Sequence, residues 1–205
     1  MGNLNLAIAN IPSITYIGNS SFSDTAIEDV VAPNLQIVGR RAFYGCENLK
    51  TISIPNAINI EESAFADTGL TSINLDSARK VGRMVFQNTS ITEINFKSLT
   101  KLEGFCLQNL TTLRKISFAS CIETIEPYAI NNCTNATIYG YTGTVAESYA
   151  TEWGYNFSPL NSNESGFTYI KVDNKEIHIS GYTANLKNNA IIPDYIESLP
   201  VTTIL

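Results

Sequence analysis

The 205-residue chain is poor in the residues that carry most enzyme and metal chemistry. It has one His, one Trp, two Met and four Cys, and only 16% of its residues are charged. With a single His (His178) and no C-x-x-C pair, neither a zinc site nor a histidine-based triad has its parts. Glycine-rich nucleotide loops and the G-x-S-x-G elbow are missing as well. These absences predict a protein that is not an enzyme and takes no cofactor. No apolar run approaches the ~20 residues that cross a membrane. The opening "MGNLNLAIANIP" lacks the basic segment of a signal peptide and already carries repeat pattern. That suggests a piece of a longer protein, whose own leader would lie elsewhere. The net charge of −6 argues against a nucleic-acid backbone or an anionic membrane as partner.

What is present is apolar material, 44% of the chain with ten Tyr and nine Phe, enough for a core rather than disorder. It is arranged as a refrain. "RRAFYGCENLKTISIP" (40–55) returns as "ESAFADTGLTSINLD" (62–76), "RMVFQNTSITEINFK" (83–97) and "GFCLQNLTTLRKISFA" (104–119). Looser copies stand at 20–33 and 127–140. Bulky anchors fall at Phe22, Phe43, Phe65, Phe86, Leu107 and Ile130, a step of 21 to 23 residues. Behind each comes a triplet of the form L-x-x-I-x-I, as in Leu49/Ile52/Ile54 or Ile91/Ile94/Phe96. A fixed period of this length means a solenoid, and the triplet is the strand signature of a leucine-rich repeat.

Within a repeat, alternation places Ile52 and Ile54 on one face and Thr51 and Ser53 on the other. The polar positions therefore line a parallel, concave sheet, with strands expected at 52–54, 73–75 and 94–96. Pro12, Pro33 and Pro55 end strands because proline donates no ladder hydrogen bond. An apolar pair such as Leu35/Val38 or Leu99/Leu102 marks the return side, and the small residue plus anchor closes the coil with room for one helical turn. Burying about five apolar groups per coil is worth roughly 1.5–3 kcal/mol each before chain entropy, and no coil achieves it alone.

The fold expected is thus α/β leaning all-β, a solenoid of about six coils. At 137–157 the period breaks, and Thr144 caps a helix through "VAESYATEW" that sets Val145, Tyr149 and Trp153 on one face and stops at Gly154. Residues 1–157 form the capped solenoid. The Asn- and Ser-rich 158–166 reads as a linker, and 167–205 as a β-rich start of a second, truncated array, with a hairpin around Asp173-Asn174 and a strand end at Ile192-Pro193.

The cysteines read as free, buried small hydrophobes. Cys46 and Cys133 share a slot but stand four repeats apart, roughly 19 Å at ~4.8 Å per strand, too far to bridge. Glu103 and Glu126 occupy equivalent slots in adjacent coils; they are either two solvated carboxylates or a cation or glycosidase pair. His178 sits on a hairpin strand between Glu176 and Ser180. Asn19, Asn88, Asn109, Asn132, Asn135 and Asn163 lie in N-x-[ST], which turn chemistry explains in a bacterial protein; glycosylation matters only in a eukaryotic, secreted one.

The phrase "AFYGCENLKTISIP", its copies and the closing "TIYGYTGTVAESYATEWGYNF" together resemble BspA-like leucine-rich-repeat proteins, bacterial surface proteins also expanded in some protists. Leu107 and Ile130 depart from the family's aromatic anchor, and Asp76, Lys97 and Ala119 stand where it often has proline. The resemblance implies extracellular or cell-surface display and adhesion, with a protein partner such as a host extracellular-matrix or cell-surface protein. The other reading is a carbohydrate-binding or spacer module of a larger secreted protein. The outward strand positions are richest in the last coils, where Glu93, Asn95, Lys115, Ser117 and Tyr139 are the expected partner-binding residues. Asn95, Ser117 and Tyr139 would form one row on the order of 10 Å long; alternatively, Tyr139 covers the cap helix.

Overall fold

A computed structural model describes residues 7–160 and, beyond them, strands 167–172, 176–182, 195–196 and 199–204. It is a parallel-strand solenoid of about seven turns with one helix near its C-terminal end. Ile8–Asn10, Asp29–Val31 and Thr51–Ser53 pair in register, Ala9 beside Val30 beside Ile52. The middle residue of each is buried and its neighbours face outward, as alternation requires. The same position resumes as Glu93–Phe96, Lys115–Phe118, Thr137–Gly140 and Asn156–Pro159, again parallel.

Between these two groups the strand expected at 73–75 does not form. Asn74 Oδ1 accepts the Asp76 N–H at 2.9 Å, a local turn that competes with the ladder, and Ile73 stays half-buried. The other two expected strands lie within a residue of their places. Where Pro12, Pro33 and Pro55 follow, strands end at Asn10, Val31 and Ser53; where Lys97, Ala119 and Tyr141 stand instead, they run one residue farther. The reason is visible at Ala119, whose N–H donates to Phe96 O at 3.0 Å, a bond proline has no hydrogen to make.

The return side is a ladder in its own right. Tyr16–Ile17, Ile37–Val38, Asn59–Ile60, Lys80–Val81, Lys101–Leu102 and Thr124–Ile125 form a six-stranded parallel sheet. The closing segment is not a helical turn, contrary to expectation. The residue two before the anchor (Ser20, Arg41, Ser63, Met84, Phe105, Tyr128) is left-handed, with φ of 53–60°. So is the residue two after it: Asp24, Gly45, Asp67, Asn88, Asn109 or Asn132. This alternation aims amides along the stack, so that Arg41, Phe43 and Gly45 donate to Glu62, Ala64 and Ala66 of the next turn at 2.9–3.0 Å. Alternate backbone amides are thereby satisfied between turns, and those between them within the turn, as Tyr44 N–H to Arg41 O at 3.2 Å. Phe22, Phe43, Phe65 and Phe86 stack beneath at 5.2, 5.5 and 5.9 Å.

The array counts one turn more than expected because Thr137–Gly140 does not break the sheet; Ile138 pairs with Ile116. The helix Val145–Trp153 then buries Ala146, Tyr149 and Ala150, with Val145 and Trp153 partly covered. Gly154 ends it at φ 73°. Thr144 is the N-cap residue but caps no amide: its hydroxyl donates to Tyr141 O at 2.6 Å, and Glu147 reaches back to accept the Gly143 N–H at 2.7 Å. Past the helix, Asn156–Pro159 adds a sheet strand that extends into Ser158 and Pro159.

Farther on, Phe167–Val172 and Glu176–Tyr182 form the antiparallel pair expected around Asp173-Asn174. Glu176–Tyr182 also pairs in parallel with Leu199–Ile204, which in turn pairs antiparallel with Tyr195–Ile196. Ile192-Pro193 and residues 161–166 lie outside the described residues.

Candidate functional site

The solenoid brings the five expected residues together because parallel pairing in register copies each slot one turn along. Asn95, Ser117 and Tyr139 are successive Cα partners, as are Glu93, Lys115 and Thr137 beside them. Ile94, Ile116 and Ile138 point inward and are buried, so both rows face outward. Glu93 and Asn95 are exposed, while Lys115, Ser117 and Tyr139 are half-buried. The Lys115 ammonium lies 5.0 Å from the centroid of the Tyr139 ring, a diagonal cation–π contact that holds both side chains.

Beside the row opens a hollow of 320 Å³, lined by Asn95, Ser117, Lys97, Tyr141 and Leu160 and floored by Phe96 and Phe118. Tyr141 and Leu160 went unread in the sequence. They reach the site because Leu160 N–H donates to Gly140 O at 2.6 Å, returning the chain after the helix to the end of the strand. The Lys97 ammonium is paired with Asp76 at 2.8 Å. The site therefore offers an aromatic ring, a cation and a carboxylate around a small, partly apolar recess.

Glu103 and Glu126 do not make a bare carboxylate pair. Glu126 accepts from Lys101 at 2.6 Å and from the Gly104 N–H at 2.8 Å. These two donors hold its carboxyl below the usual range. Among the described residues no group of three His, Cys, Asp or Glu could hold a metal ion. His178 falls on the strand Glu176–Tyr182, paired with Ile170 and Thr203.

The cysteines are free, and Cys46 and Cys133 do more than fill space. Their slot also holds Thr25, Thr68 and Thr89, whose hydroxyls donate to the carbonyl of their own anchor, Phe22, Phe65 or Phe86, at 2.8–2.9 Å. Cys46 and Cys133 reach the anchor carbonyl one turn back, Phe22 O at 2.9 Å and Leu107 O at 3.2 Å. The slot holds a small buried donor in five of six turns, Leu110 being the exception, and the shared Thr/Cys usage was the signal. Burial pushes the Cys133 thiol up to about 11 and raises Cys46 and Cys106 too. Five of the N-x-[ST] asparagines are also occupied: Asn132, Asn109 and Asn88 pass their Nδ2 hydrogens along a ladder ending on Asp67, Asn19 accepts the Arg40 N–H and Asn135 donates to Thr111 O.

A family profile described as the BspA type leucine rich repeat region matches residues 5–137 in six copies. A leucine-rich repeat protein from Eubacterium ventriosum of known crystal structure superimposes with a TM-score of 0.54 at 19% sequence identity, over 96% of this chain and 49% of that one. The chain therefore spans about half the length of that protein, and at this identity the likeness is one of fold. No curated protein matches the chain in sequence.

Proposed function

We propose that this chain, which belongs to the BspA-type leucine-rich repeat family, is a non-enzymatic protein-binding module of an extracellular or cell-surface adhesion protein. Leucine-rich repeats as a class serve protein interaction, and the repeat places one side chain per turn on an outward lattice that a partner surface can read. The observation that carries the reading is the row Asn95–Ser117–Tyr139 with the Lys115 ammonium over its ring, beside the 320 Å³ recess. A rigid aromatic, a cation and neighbouring polar groups have the composition of an interface hot spot with its polar rim. Glu93, Asn95, Lys115, Ser117 and Tyr139 are its contact residues, and a host matrix or cell-surface protein is its partner.

Residues 167–205 are proposed to open a second array after a linker. In support, Glu176–Tyr182 and Leu199–Ile204 pair in parallel, Ile177 with Val201, about one repeat length apart along the chain.

The test is a screen of immobilised matrix and cell-surface proteins, followed by hydrogen exchange on the complex found. Binding should slow exchange at 93–96, 115–118 and 137–140. Protection confined to 8–10, 29–31 and 51–53 would place the interface at the other end of the solenoid.

A further inference from the structure

The left-handed residue two before the anchor is aromatic in two successive turns, Phe105 at φ 59° and Tyr128 at φ 60°. A bulky side chain adopts that conformation at a cost, and turn closure does not ask for one, since Ser20 and Ser63 serve the same slot. The two rings stack in parallel at 5.6 Å, and the row continues at both ends. One turn back, the Arg83 guanidinium lies 5.8 Å from the Phe105 centroid. At the other end Trp153 of the cap helix meets Tyr128 in a T-shaped contact at 4.7 Å and stacks on the buried Tyr149. Tyr128 is 50% exposed, Phe105 and Trp153 are half-buried, and Arg83 is exposed. Beside Trp153, the exposed Glu152 lines a cleft of 270 Å³ between the helix and Pro127. Ion pairs among the described residues join Arg40 to Glu62, Lys97 to Asp76 and Lys101 to Glu126, which leaves out both Arg83 and Glu152. Arg83 helps to hold the Glu126 carboxyl down, but the bonds of that group go to Lys101 and the Gly104 N–H.

We infer that this row is the interface of a two-fold symmetric dimer of the chain itself. Its order along the array is cation, ring, ring, then ring with carboxylate, and that order is complementary to its own reverse. A two-fold axis between Phe105 and Tyr128 turns the row end for end, as an isologous interface requires. Arg83 of each copy then meets Glu152 of the other at the mouth of the cleft, and Phe105 packs on the partner's Tyr128. An axis along the row would keep its direction and set Arg83 against Arg83, so the charges choose the antiparallel arrangement. The arginine stem covers apolar cleft wall while its head reaches the carboxylate. Trp, Tyr and Arg are also the residues that dominate interface energetics. Within the row the rings lie against one another and turn their edges outward, an arrangement suited to edge-to-face packing with a second set of rings. None of these residues belongs to the proposed partner site on the strand face, so the two assignments stand or fall separately.

The experiment is sedimentation equilibrium of the full chain, with the emission of its single Trp, Trp153, followed over the same dilution series. The parent should dimerise with a dissociation constant of about 1–100 μM, as an interface at the small end of the range does, and its emission should move to the blue in step with the mass. Arg83→Glu and Glu152→Arg should each weaken association at least tenfold, because like charges then face each other at both contacts of the dimer. An equimolar mixture of these two variants carries opposite charges at both contacts and should form a heterodimer, and the double variant Arg83→Glu/Glu152→Arg should dimerise as the parent does. Tyr128→Ser, which installs the residue that the slot holds in two other turns, should weaken association at least tenfold with an unchanged circular dichroism spectrum. Tyr139→Ala should dimerise as the parent does. A parent still monomeric at millimolar concentration, a dimer indifferent to all the single variants in the row, or a mixture of the two charge variants that stays monomeric would overturn the assignment. Loss of a captured protein partner in Tyr128→Ser, with a monomeric parent, would give the row to a different protein instead.

Discussion

Replacing Phe65 with Ala empties the middle of the solenoid. The ring is fully buried and stacked on Phe43 at 5.5 Å and on Phe86 at 5.9 Å. Neighbouring turns are locked by backbone bonds on either side, among them Phe65 N–H to Val85 O at 3.0 Å, so the cavity cannot collapse without breaking them. The lost transfer energy and cavity cost about 3–5 kcal/mol; two stacking contacts, each worth ~0.5–1.5 kcal/mol, place the change in the upper part of that range. Thr51→Ala is the control: its side chain is exposed and loses one surface hydrogen bond, to Asp29 at 2.7 Å, for under about 1 kcal/mol. In urea, with a slope of about 2.5 kcal/mol/M, the Phe65 variant should lose about 1–2 M in midpoint and the Thr51 variant a few tenths. Trp153 fluorescence and far-ultraviolet circular dichroism read the transition at the cap and over the whole array. In the Phe65 variant the two curves should separate, since a weakened turn uncouples its neighbours in a one-dimensional stack. Equal midpoint shifts in the two variants would refute the assignment of inside and outside.

Ala119→Pro, which moves the chain toward the proline-ended repeats, should destabilise it by about 1 kcal/mol, because it deletes the bond to Phe96 O; an unchanged or raised midpoint would show that this bond contributes nothing. Native-state alkylation followed by mass spectrometry should modify Cys121, the half-exposed thiol, well before the buried Cys46, Cys106 and Cys133. Burial raises the pKa of all four, so access decides the order; early labelling of Cys133 would contradict its burial. Glu126 has a folded-state pKa held down by Lys101 and the Gly104 N–H, so its contribution is present above the ordinary carboxylate pKa and lost as pH falls through the folded value. The wild type should therefore lose slightly more stability than Glu126→Gln on acidification below about pH 4.5, the difference being small because solvent screens the exposed Lys101; parallel pH profiles would show that the pair is energetically silent.

The inward and outward positions were legible because strand alternation leaves a period of two: Ile52 is buried between exposed Thr51 and Ser53. Register came with them, since equal repeat lengths bring Asn95, Ser117 and Tyr139 into line. The return ladder was not legible. Two-residue strands such as Ile37–Val38 are too short for any alternation to show. The left-handed residues were half legible: Asp, Asn and Gly at the slot after the anchor favour that conformation, whereas Ser20, Arg41, Met84 and Tyr128 before it share no preference; Ser20 and Arg41 are held by amide hydrogen bonds to the next turn, Arg40 O and Glu62 O. The missing strand at 73–75 turned on one side chain, Asn74, that pattern alone does not single out. At the site, the contact of Lys115 with Tyr139 is diagonal across two strands, and the recess beside it needs Leu160 from beyond the helix. Neither follows from periodicity.

The most direct measurement of the proposed role is the affinity of one captured protein partner for Tyr139→Ala, Lys115→Glu and Ser53→Ala, side by side with the parent chain by surface plasmon resonance. Tyr139 and Lys115 support each other at 5.0 Å, so each of the first two variants should weaken binding at least tenfold, a loss of about 1.4 kcal/mol or more. Ser53, on the same face two turns before Asn95, should bind as the parent does. A partner that binds all three folded variants with parental affinity would contradict the account.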